Sequence, residues 1–346
     1  MSTKYIWTKI PVKEEIKRSS HSFCVIGNKG YIFGGEIKPR QPVDNALHVI
    51  DLSTGVYNKV QGAGDVPDSR VGHTGVVLGE EIYVFGGRGG PDMTPLIENG
   101  AIHRYTPSTN LWTRLRPDTS SPYPLARSYH ASAASPLTNQ ILIHAGCGDA
   151  STGRVNDLWA FDISSNVWSE LPDAPGEKGR GGTALTVLND TVWRFGGFDG
   201  KTEIGGAIDS LSLNLSLQGG SWESINYDSK SGPTELEKMG NGPGARSVAG
   251  LLVLDKDKLV TLFGEGKPSP TGGHDSAGNF WGDVWTFDIQ RNKWEELSVE
   301  VEGQGDGPGE RGWFDSDVIQ GGGVVVWGGI DSRNERMGDG WILKRL

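Results

Sequence analysis

Short apolar runs that end in small residues recur six times along the chain. They lie at residues 31–35, 82–87, 141–146, 192–197, 259–265 and 324–329. Short apolar runs bounded by glycine are typical of β-strands, and paired glycines let the backbone take positive φ and let neighbouring strands approach closely. The pattern predicts an all-β fold built from six repeated units.

An arginine opens each of the six repeats, and successive arginines are 52 to 66 residues apart. This spacing is close to the roughly 50 residues of one propeller blade. The predicted fourth strands carry large rings that can wedge between blades, at Tyr57, Trp112, Trp168, Trp222 and Trp294. We therefore predict one six-bladed β-propeller domain over residues 1–346, with blades starting near residues 18, 70, 127, 180, 246 and 311.

The two ends of the chain complement each other. The sixth repeat stops after its third strand, Gly340-Trp341-Ile342-Leu343-Lys344, and an isolated strand-like segment occupies residues 5–10. Pairing the two segments would cover two open strand edges. We expect residues 5–10 to complete the last blade and close the ring.

Composition and charge narrow the function classes. The net charge is −10 with a pI near 5.2, which disfavours non-specific attraction to nucleic acid or to anionic lipid. Cys24 and Cys147 are the only cysteines, too few for a disulfide framework. Residues 1–5 contain no apolar signal segment, and no run is long enough to span a membrane. We expect a cytoplasmic protein that binds neither nucleic acid nor membrane.

Residues that recur at every blade are expected to serve the scaffold, because symmetric features rarely make an asymmetric site. We assign Arg18, Arg70, Arg180 and Arg246 to structure, as ties between loops and backbone carbonyls. Three histidines follow blade-opening arginines at a fixed offset and receive the same interpretation: His21, His73 and His130.

The fifth repeat is the irregular one. It continues Phe263-Gly264-Glu265, so an acid is predicted in the place of the second glycine, and a long loop with His274 and Asp275 follows. Carboxylate and imidazole ligands with open positions suit non-haem Fe(II). The alternative is a solvated Gly/Pro loop with incidental polar residues.

The whole chain resembles the kelch repeats, and more closely the plant specifier proteins of glucosinolate breakdown: the nitrile-specifier, thiocyanate-forming and epithiospecifier proteins. The resemblance rests on Arg18-Ser19-Ser20-His21-Ser22, Phe33-Gly34-Gly35-Glu36, Gly64-Asp65-Val66-Pro67, Phe85-Gly86-Gly87-Arg88 and corresponding motifs in the later blades. The loop Pro39-Arg40-Gln41-Pro42-Val43-Asp44-Asn45 is not a requirement of kelch repeats and favours the specifier subgroup.

The resemblance implies an iron site in the fifth blade. Specifier proteins carry Glu-x-x-x-Asp-x-x-x-His there, and Glu265 and His274 match its first and last members with one residue inserted. Ser269 or Pro270 falls where the Asp belongs, and our hypothesis is that Asp275 replaces it. The expected metal ligands are Glu265, His274 and Asp275, and the expected cofactor is Fe(II).

The resemblance also implies a substrate site at the propeller mouth. Arg88 and Arg154 would orient an anion, since a guanidinium donates two parallel charge-assisted hydrogen bonds. Tyr129 and Trp313 would form aromatic walls. The alternative is that Arg88 forms a salt bridge within its loop and that both rings serve blade packing.

The function implied is binding of a small anionic, sulfur-containing metabolite at the mouth and direction of its breakdown or rearrangement. As an enzyme, the protein would be a non-haem iron-dependent lyase, acting on a specifier substrate or on another intermediate of secondary metabolism. The alternative is a non-catalytic propeller that serves as a protein–protein interaction module, because the fold alone does not choose between ligands.

Overall fold

A computed structural model describes residues 4–118, 121–216, 220–230, 240–267, 269 and 278–346. Within these ranges, six sheets of mainly antiparallel strands surround a central channel, and the only helix is the single turn α1 (Leu213–Ser216). The structure confirms the predicted all-β, six-bladed propeller. No helix in the described part of the chain is long and apolar enough to cross a membrane.

The first strand of the chain, β1 (Tyr5–Lys9), belongs to the last blade. Blade 1 contains β2 (Ser22–Ile26), β3 (Lys29–Phe33), the hairpin β4 (Glu36–Lys38) and β5 (Gln41–Pro42), then β6 (Leu47–Asp51) and β7 (Tyr57–Val60). Blade 2 contains β8 (Ala63–Gly64), β9 (Thr74–Leu78), β10 (Glu81–Phe85), the hairpin β11 (Arg88–Gly89) and β12 (Thr94–Pro95), then β13 (Ile102–Thr106) and β14 (Leu111–Leu115).

Blade 3 contains β15 (Ala131–Ser135), β16 (Gln140–Cys147), β17 (Arg154–Asp162) and β18 (Val167–Leu171). Blade 4 contains β19 (Ala184–Leu188), β20 (Thr191–Phe195), β21 (Ala207–Ser212) and β22 (Glu223–Asn226), with α1 after β21. Blade 5 contains β23 (Gly250–Asp255), β24 (Lys258–Leu262), β25 (Val284–Asp288) and β26 (Lys293–Glu296). Blade 6 contains β27 (Val299–Val301), β28 (Asp315–Val318), β29 (Val324–Trp327), β30 (Gly340–Arg345) and β1.

The ring closes inside blade 6, as predicted. Strand β1 pairs antiparallel with β30, with Tyr5 opposite Arg345 and Lys9 opposite Trp341. On its other edge β1 pairs in parallel with β27. The innermost strand of each blade contacts the innermost strands of both neighbouring blades, so β28 of blade 6 lies against β2 of blade 1. The N-terminal strand therefore covers the edge that β30 would otherwise expose.

The aromatic residues of the outer strands wedge between blades. Trp112 of blade 2 is only 1% exposed, and its ring lies 5.2 Å from Phe33 of blade 1 and 5.0 Å from Tyr105 of its own blade. The same contact with the preceding blade recurs in the pairs Trp168–Phe85, Trp294–Phe195 and Trp7–Phe263. Each such pair contributes about 0.5–1.5 kcal/mol beyond its buried area.

The blade-opening arginines serve the scaffold, as predicted. Five of them donate to the carbonyl oxygen of the first residue of their blade's small pair: Arg70, Arg127, Arg180, Arg246 and Arg311. Five also pair with a carboxylate of the same blade, in the pairs Arg18–Asp44, Arg70–Glu98, Arg127–Asp157, Arg246–Asp283 and Arg311–Asp339. Four guanidinium groups thus tie the end of the second strand to the start of the third, whereas Arg18 makes only the carboxylate pair and Arg180 only the carbonyl contact.

The structure changes the register of the fifth blade by one residue. The two left-handed positions after its second strand are Phe263, with φ 56°, and Gly264, with φ 99°. The corresponding pair in blade 4 is Gly196 and Gly197. The prediction that Glu265 replaces the second glycine is therefore wrong, because an apolar residue takes the first position of the pair. Glu265 is the residue that follows the pair.

Candidate functional site

A ring of six residues forms the neck of the propeller, between the central channel and a wider mouth. We call it the neck ring; it consists of Ser20, Gly72, Tyr129, Gly182, Val248 and Trp313. Each member lies two residues after a blade-opening arginine, and all six have φ between 46° and 61°. Five of the six backbone N–H groups donate to the carbonyl of the neck-ring residue in the preceding blade, at 2.7–2.9 Å.

The two glycines of the neck ring, Gly72 and Gly182, lie on either side of Tyr129 for a steric reason. A Cβ atom on Gly72 would lie 3.1 Å from the Tyr129 ring, and one on Gly182 would lie 2.9 Å from a methyl carbon of Val248. The glycines therefore leave space for the neighbouring side chains. Left-handed backbone costs a non-glycine residue roughly 1–2 kcal/mol, and such conformations cluster at functional sites.

The mouth cavity lies above the neck ring and has a volume of about 680 Å³. All four predicted substrate residues line it: Arg88, Tyr129, Arg154 and Trp313. They come from three blades and from sequence positions more than 200 residues apart. A cavity of this size falls in the range of small-molecule sites, about 300–1,000 Å³.

Arg88 is fixed by two neighbours from blade 3. Its Nε–H donates to Ser128 Oγ at 2.9 Å, and its guanidinium carbon lies 5.3 Å from the centre of the Tyr129 ring. Ser128 is fully buried, whereas Arg88 is half-buried. Among the described residues, no carboxylate lies within ion-pairing distance of Arg88, which removes the alternative of a salt bridge within its loop.

Arg154 is held by an aromatic face. It begins β17 opposite Cys147, and its guanidinium carbon lies 4.9 Å from the centre of the Phe198 ring. The side chain is exposed, and no carboxylate in the described ranges pairs with it. A guanidinium that stacks on a ring keeps its in-plane N–H donors available.

The charges of both arginines, Arg88 and Arg154, affect the Cys147 thiol. Burial raises the pKa of the Cys147 thiol, while the charges of Arg154 and Arg88 both act to lower it. Cys147 lines the mouth cavity together with both arginines. Arg88 and Arg154 therefore flank one wall of the mouth cavity, on the side of blades 2 to 4.

The two predicted aromatic walls both belong to the neck ring. Both rings are half-buried, and Trp313 packs edge-on against Phe280 with ring centres 6.0 Å apart. Burial raises the pKa of Tyr129, the Glu36 carboxylate raises it further, and Ser20 and Arg88 act against the rise. The phenol therefore stays protonated and presents a neutral hydroxyl at the mouth.

Sequence reasoning did not find the opposite wall of the cavity. There Arg336 of blade 6 donates to Glu36 Oε1 of blade 1 at 3.0 Å, and both side chains are buried. Its Nε–H donates to Ser19 Oγ at 3.2 Å. The partners are 300 residues apart, so no local motif joins them.

A common position explains which side chains reach the mouth. The residue after each left-handed pair forms a β-bridge with the residue after a blade-opening arginine. These six residues are Glu36, Arg88, Cys147, Phe198, Glu265 and Ile330, and all of them except Glu265 line the mouth cavity. Once the pairs are located, this position is a signal that would have identified Glu36, Cys147 and Phe198 from the sequence.

The predicted metal ligands are only partly described. Glu265 is fully buried, forms bridges with Ser247 and Phe280, and accepts the N–H of Gly278 on Oε1 at 3.1 Å. His274 and Asp275 lie outside the described residues. Among the residues that are described, no group of three or more His, Cys, Asp or Glu side chains could hold a metal ion. The iron site stays a prediction.

Comparison with known proteins identifies the repeat family and a relative that aligns along nearly the whole of both chains. The KLHDC2/KLHL20/DRC7 Kelch-repeats domain matches residues 20–264. An N-(sulfonatooxy)prop-2-enimidothioate sulfolyase from Thlaspi arvense is 30% identical over 350 residues, which covers 95% of this chain and 94% of that protein.

Other matches cover part of the chain or have low sequence identity. Kelch domain-containing protein 1 from Mus musculus is 34% identical over 164 residues, covering 45% of this chain and 38% of that protein. A solved structure titled "Structure of YjhT" aligns with a TM-score of 0.66 and 16% identity over 95% of both chains. At that identity the likeness supports the fold alone.

Proposed function

Because this chain belongs to the kelch-repeat propellers and, within them, to the family of the Thlaspi arvense sulfolyase, we propose that it binds a small anionic metabolite in the mouth cavity and directs its breakdown or rearrangement. The observation that carries the proposal is the pair of arginines, Arg88 and Arg154, that flank one cavity wall without a carboxylate partner among the described residues.

The charge of the mouth supports an anionic ligand. The protein as a whole carries a net charge of −10, yet four arginines line the mouth cavity against the two acids Glu36 and Asp149. Arg336 neutralises Glu36, and Asp149 is engaged by the backbone N–H groups of its own turn. A locally positive cavity on an acidic protein concentrates anions and leaves the rest of the surface repulsive to them.

The class of ligand is inferred from the positions of Arg88 and Arg154 and from the name of the Thlaspi arvense sulfolyase. The sulfolyase is named for a substrate with a sulfonatooxy group and an imidothioate sulfur. We propose that Arg88 and Arg154 bind a sulfate-ester group of this kind through charge-assisted hydrogen bonds. Tyr129 and Trp313 then cover the organic side chain, because aromatic faces bury apolar area with little loss of side-chain entropy.

We propose Fe(II) as cofactor, with Glu265, His274 and Asp275 as its ligands. The support is the buried carboxylate of Glu265, which has the same repeat position in blade 5 as Arg88 has in blade 2. A bound Fe(II) would supply Lewis acidity to a developing thiolate. The described residues contribute one of the three ligands.

Metal content tests the cofactor. The protein is purified anaerobically with Fe(II), and its iron content is compared with that of Glu265→Ala, His274→Ala and, as a control, Glu335→Ala, whose residue is exposed in blade 6. We expect stoichiometric iron in the wild type and in the control, and its loss in the other two variants. Absence of iron in every preparation would remove the iron-dependent lyase and favour the non-catalytic interaction module.

Ligand-induced thermal stabilisation tests the anion site independently of iron. The melting temperature is measured with a panel of sulfate esters, carboxylates and neutral analogues, for the wild type and Arg88→Ala. We expect anions to raise the melting temperature of the wild type, and the variant to respond weakly. An equal response in both proteins would show that Arg88 has no role in binding.

A further inference from the structure

The blade-opening arginine of blade 4 differs from the other five. In the other blades this arginine pairs with a carboxylate of its own blade and is at most 3% exposed. The pairs Arg70–Glu98 and Arg127–Asp157 each have two N–H···O contacts, at 2.6–3.0 Å. Arg180 of blade 4 pairs with no carboxylate of the described residues, and its side chain is half-buried.

Arg180 is nevertheless anchored in the same way as its counterparts. Its Nη1 donates to the carbonyl oxygen of Gly196 at 3.2 Å, which is the contact that Arg70 Nη1 makes with Gly86 at 2.9 Å. Among the described residues this is the one hydrogen bond of the Arg180 side chain, whereas the Arg70 side chain makes four. A guanidinium has five N–H donors, so Arg180 can donate to a further acceptor.

The sequence of blade 4 lacks the expected acid. In blades 2, 5 and 6 the acid comes two residues after the residue whose N–H donates to the carbonyl of the second left-handed residue; these acids are Glu98, Asp283 and Asp339. In blade 4 Ile204 makes that hydrogen bond, and Gly206 comes two residues later. Of the described atoms, a Cβ on Gly206 would meet only Ser229 Oγ and the Tyr227 carbonyl, at 3.6 and 3.7 Å. The missing side chain therefore leaves space.

A longer connection exposes Arg180 to solvent. A proline precedes the blade-opening arginine by three residues in blades 2, 3, 5 and 6, whereas Pro175 precedes Arg180 by five. Residues 176–178 of this connection are exposed. A Cβ on Gly176 would approach Arg180 Nη2 at 3.4 Å and would meet no other described atom within 4 Å. An anion can therefore reach Nη2 from solution.

The acids nearest to Arg180 are engaged by other cations. The charges of Asp209 and Asp199 both act on Arg180. Asp209 Oδ2 accepts a hydrogen bond from Arg194 Nη2 at 2.6 Å, and Asp199 pairs with Lys178 at 3.2 Å. Neither acid takes the position that the paired carboxylate has in the other blades.

The surroundings of Arg180 are positively charged. Burial and then the charge of Arg194 lower the pKa of Arg180 to about 10, so the guanidinium stays protonated at neutral pH. Burial and then Arg194 also lower the pKa of His144 to about 3, so this imidazole is neutral. Two guanidinium groups against the single carboxylate of Asp209 leave one positive charge uncompensated, and a bound anion would neutralise it.

We propose that Arg180 binds a small organic carboxylate from solution, in the position that the protein's own carboxylate has in the other blades. A carboxylate matches the planar fork of a guanidinium, and such charge-assisted pairs are the stronger hydrogen bonds of proteins. Arg180 is not among the residues that line the mouth cavity. The site is therefore separate from the anion site at Arg88 and Arg154, and it does not depend on the function proposed for that site.

Titration with propionate tests the proposal on the wild type. The Nε–H signals of the arginine side chains are followed by ¹H–¹⁵N NMR at constant ionic strength, with Arg180→Lys used to assign the Arg180 signal and propanamide as the neutral control. We expect a saturable shift of the Arg180 signal with propionate and no shift with propanamide. An Arg180 signal that does not respond to propionate would refute the proposal.

Two variants of one residue test whether the carboxylate takes the missing position. Gly206→Asp supplies an internal carboxylate, and Gly206→Asn is the matched neutral control, because Asp and Asn both tolerate the left-handed backbone that Gly206 has at φ 80°. We expect Gly206→Asp to bind propionate at least tenfold more weakly than Gly206→Asn. Equal affinities would contradict the proposed position.

Arg88→Ala and Arg180→Gln distinguish this site from the mouth cavity and do not alter Gly206. Stabilisation by propionate is measured as the rise in melting temperature. We expect the rise to persist in Arg88→Ala and to disappear in Arg180→Gln. A rise that is lost in Arg88→Ala and kept in Arg180→Gln would place the carboxylate in the mouth cavity and overturn the proposal.

Discussion

Replacing Ser128 by alanine removes the oxygen that orients Arg88 and leaves the guanidinium itself in the mouth cavity. The Ser128 Oγ accepts the Arg88 Nε–H at 2.9 Å and is fully buried. Without it, Arg88 keeps its contact with the Tyr129 ring but must be ordered when an anion binds. Ordering one long side chain costs about 0.5–1.5 kcal/mol, which corresponds to a two- to tenfold weaker Kd.

Isothermal titration calorimetry with an aryl sulfate measures this effect, with thermal unfolding as a check on the fold. The matched control is Ser247→Ala, which changes the same repeat position in blade 5, where the bridge partner is Glu265. We expect a two- to tenfold rise in Kd for Ser128→Ala and little change for the control. An unchanged Kd in Ser128→Ala would show that the hydrogen bond does not orient Arg88 for binding.

Two further predictions concern the scaffold. Trp112→Ala removes the ring that packs between blades 1 and 2 and should lower the free energy of unfolding by about 3–5 kcal/mol. Urea unfolding measures this value, and a decrease of less than about 1 kcal/mol would contradict the packing account. At Glu98, burial acts to raise the pKa, but hydrogen bonds from His103 and Arg70 prevail and lower it to about 2. The wild type should therefore lose stability as pH falls from about 5 to 2, and Glu98→Gln should lose less over that range.

Features that depend on local pattern were predictable from the sequence. The small pairs of five blades, the blade-opening arginines and the isolated strand at residues 5–10 each carry a signal in residue type or spacing. Ring closure could be predicted from these features. The last blade has three strands and the N-terminal segment supplies one more, so pairing the two covers both open strand edges.

The positions that escaped prediction depend on backbone conformation or on distant contacts. Phe263 takes a left-handed position that glycine fills in four other blades, and an apolar residue gives no sign of positive φ in a sequence. The same left-handed conformation occurs in the neck ring at Tyr129, Val248 and Trp313. This ring forms only when all six blades come together. The Glu36–Arg336 pair requires the first and last blades to be neighbours.

A double-mutant cycle on Arg88 and Arg154 tests the anion site most directly. Binding of an aryl sulfate is measured by calorimetry for the wild type, Arg88→Gln, Arg154→Gln and the double variant, at fixed salt concentration. If both guanidinium groups bind the same anion, each single variant weakens binding at least tenfold and the two effects are not additive. Binding that is unchanged in the double variant would contradict the account.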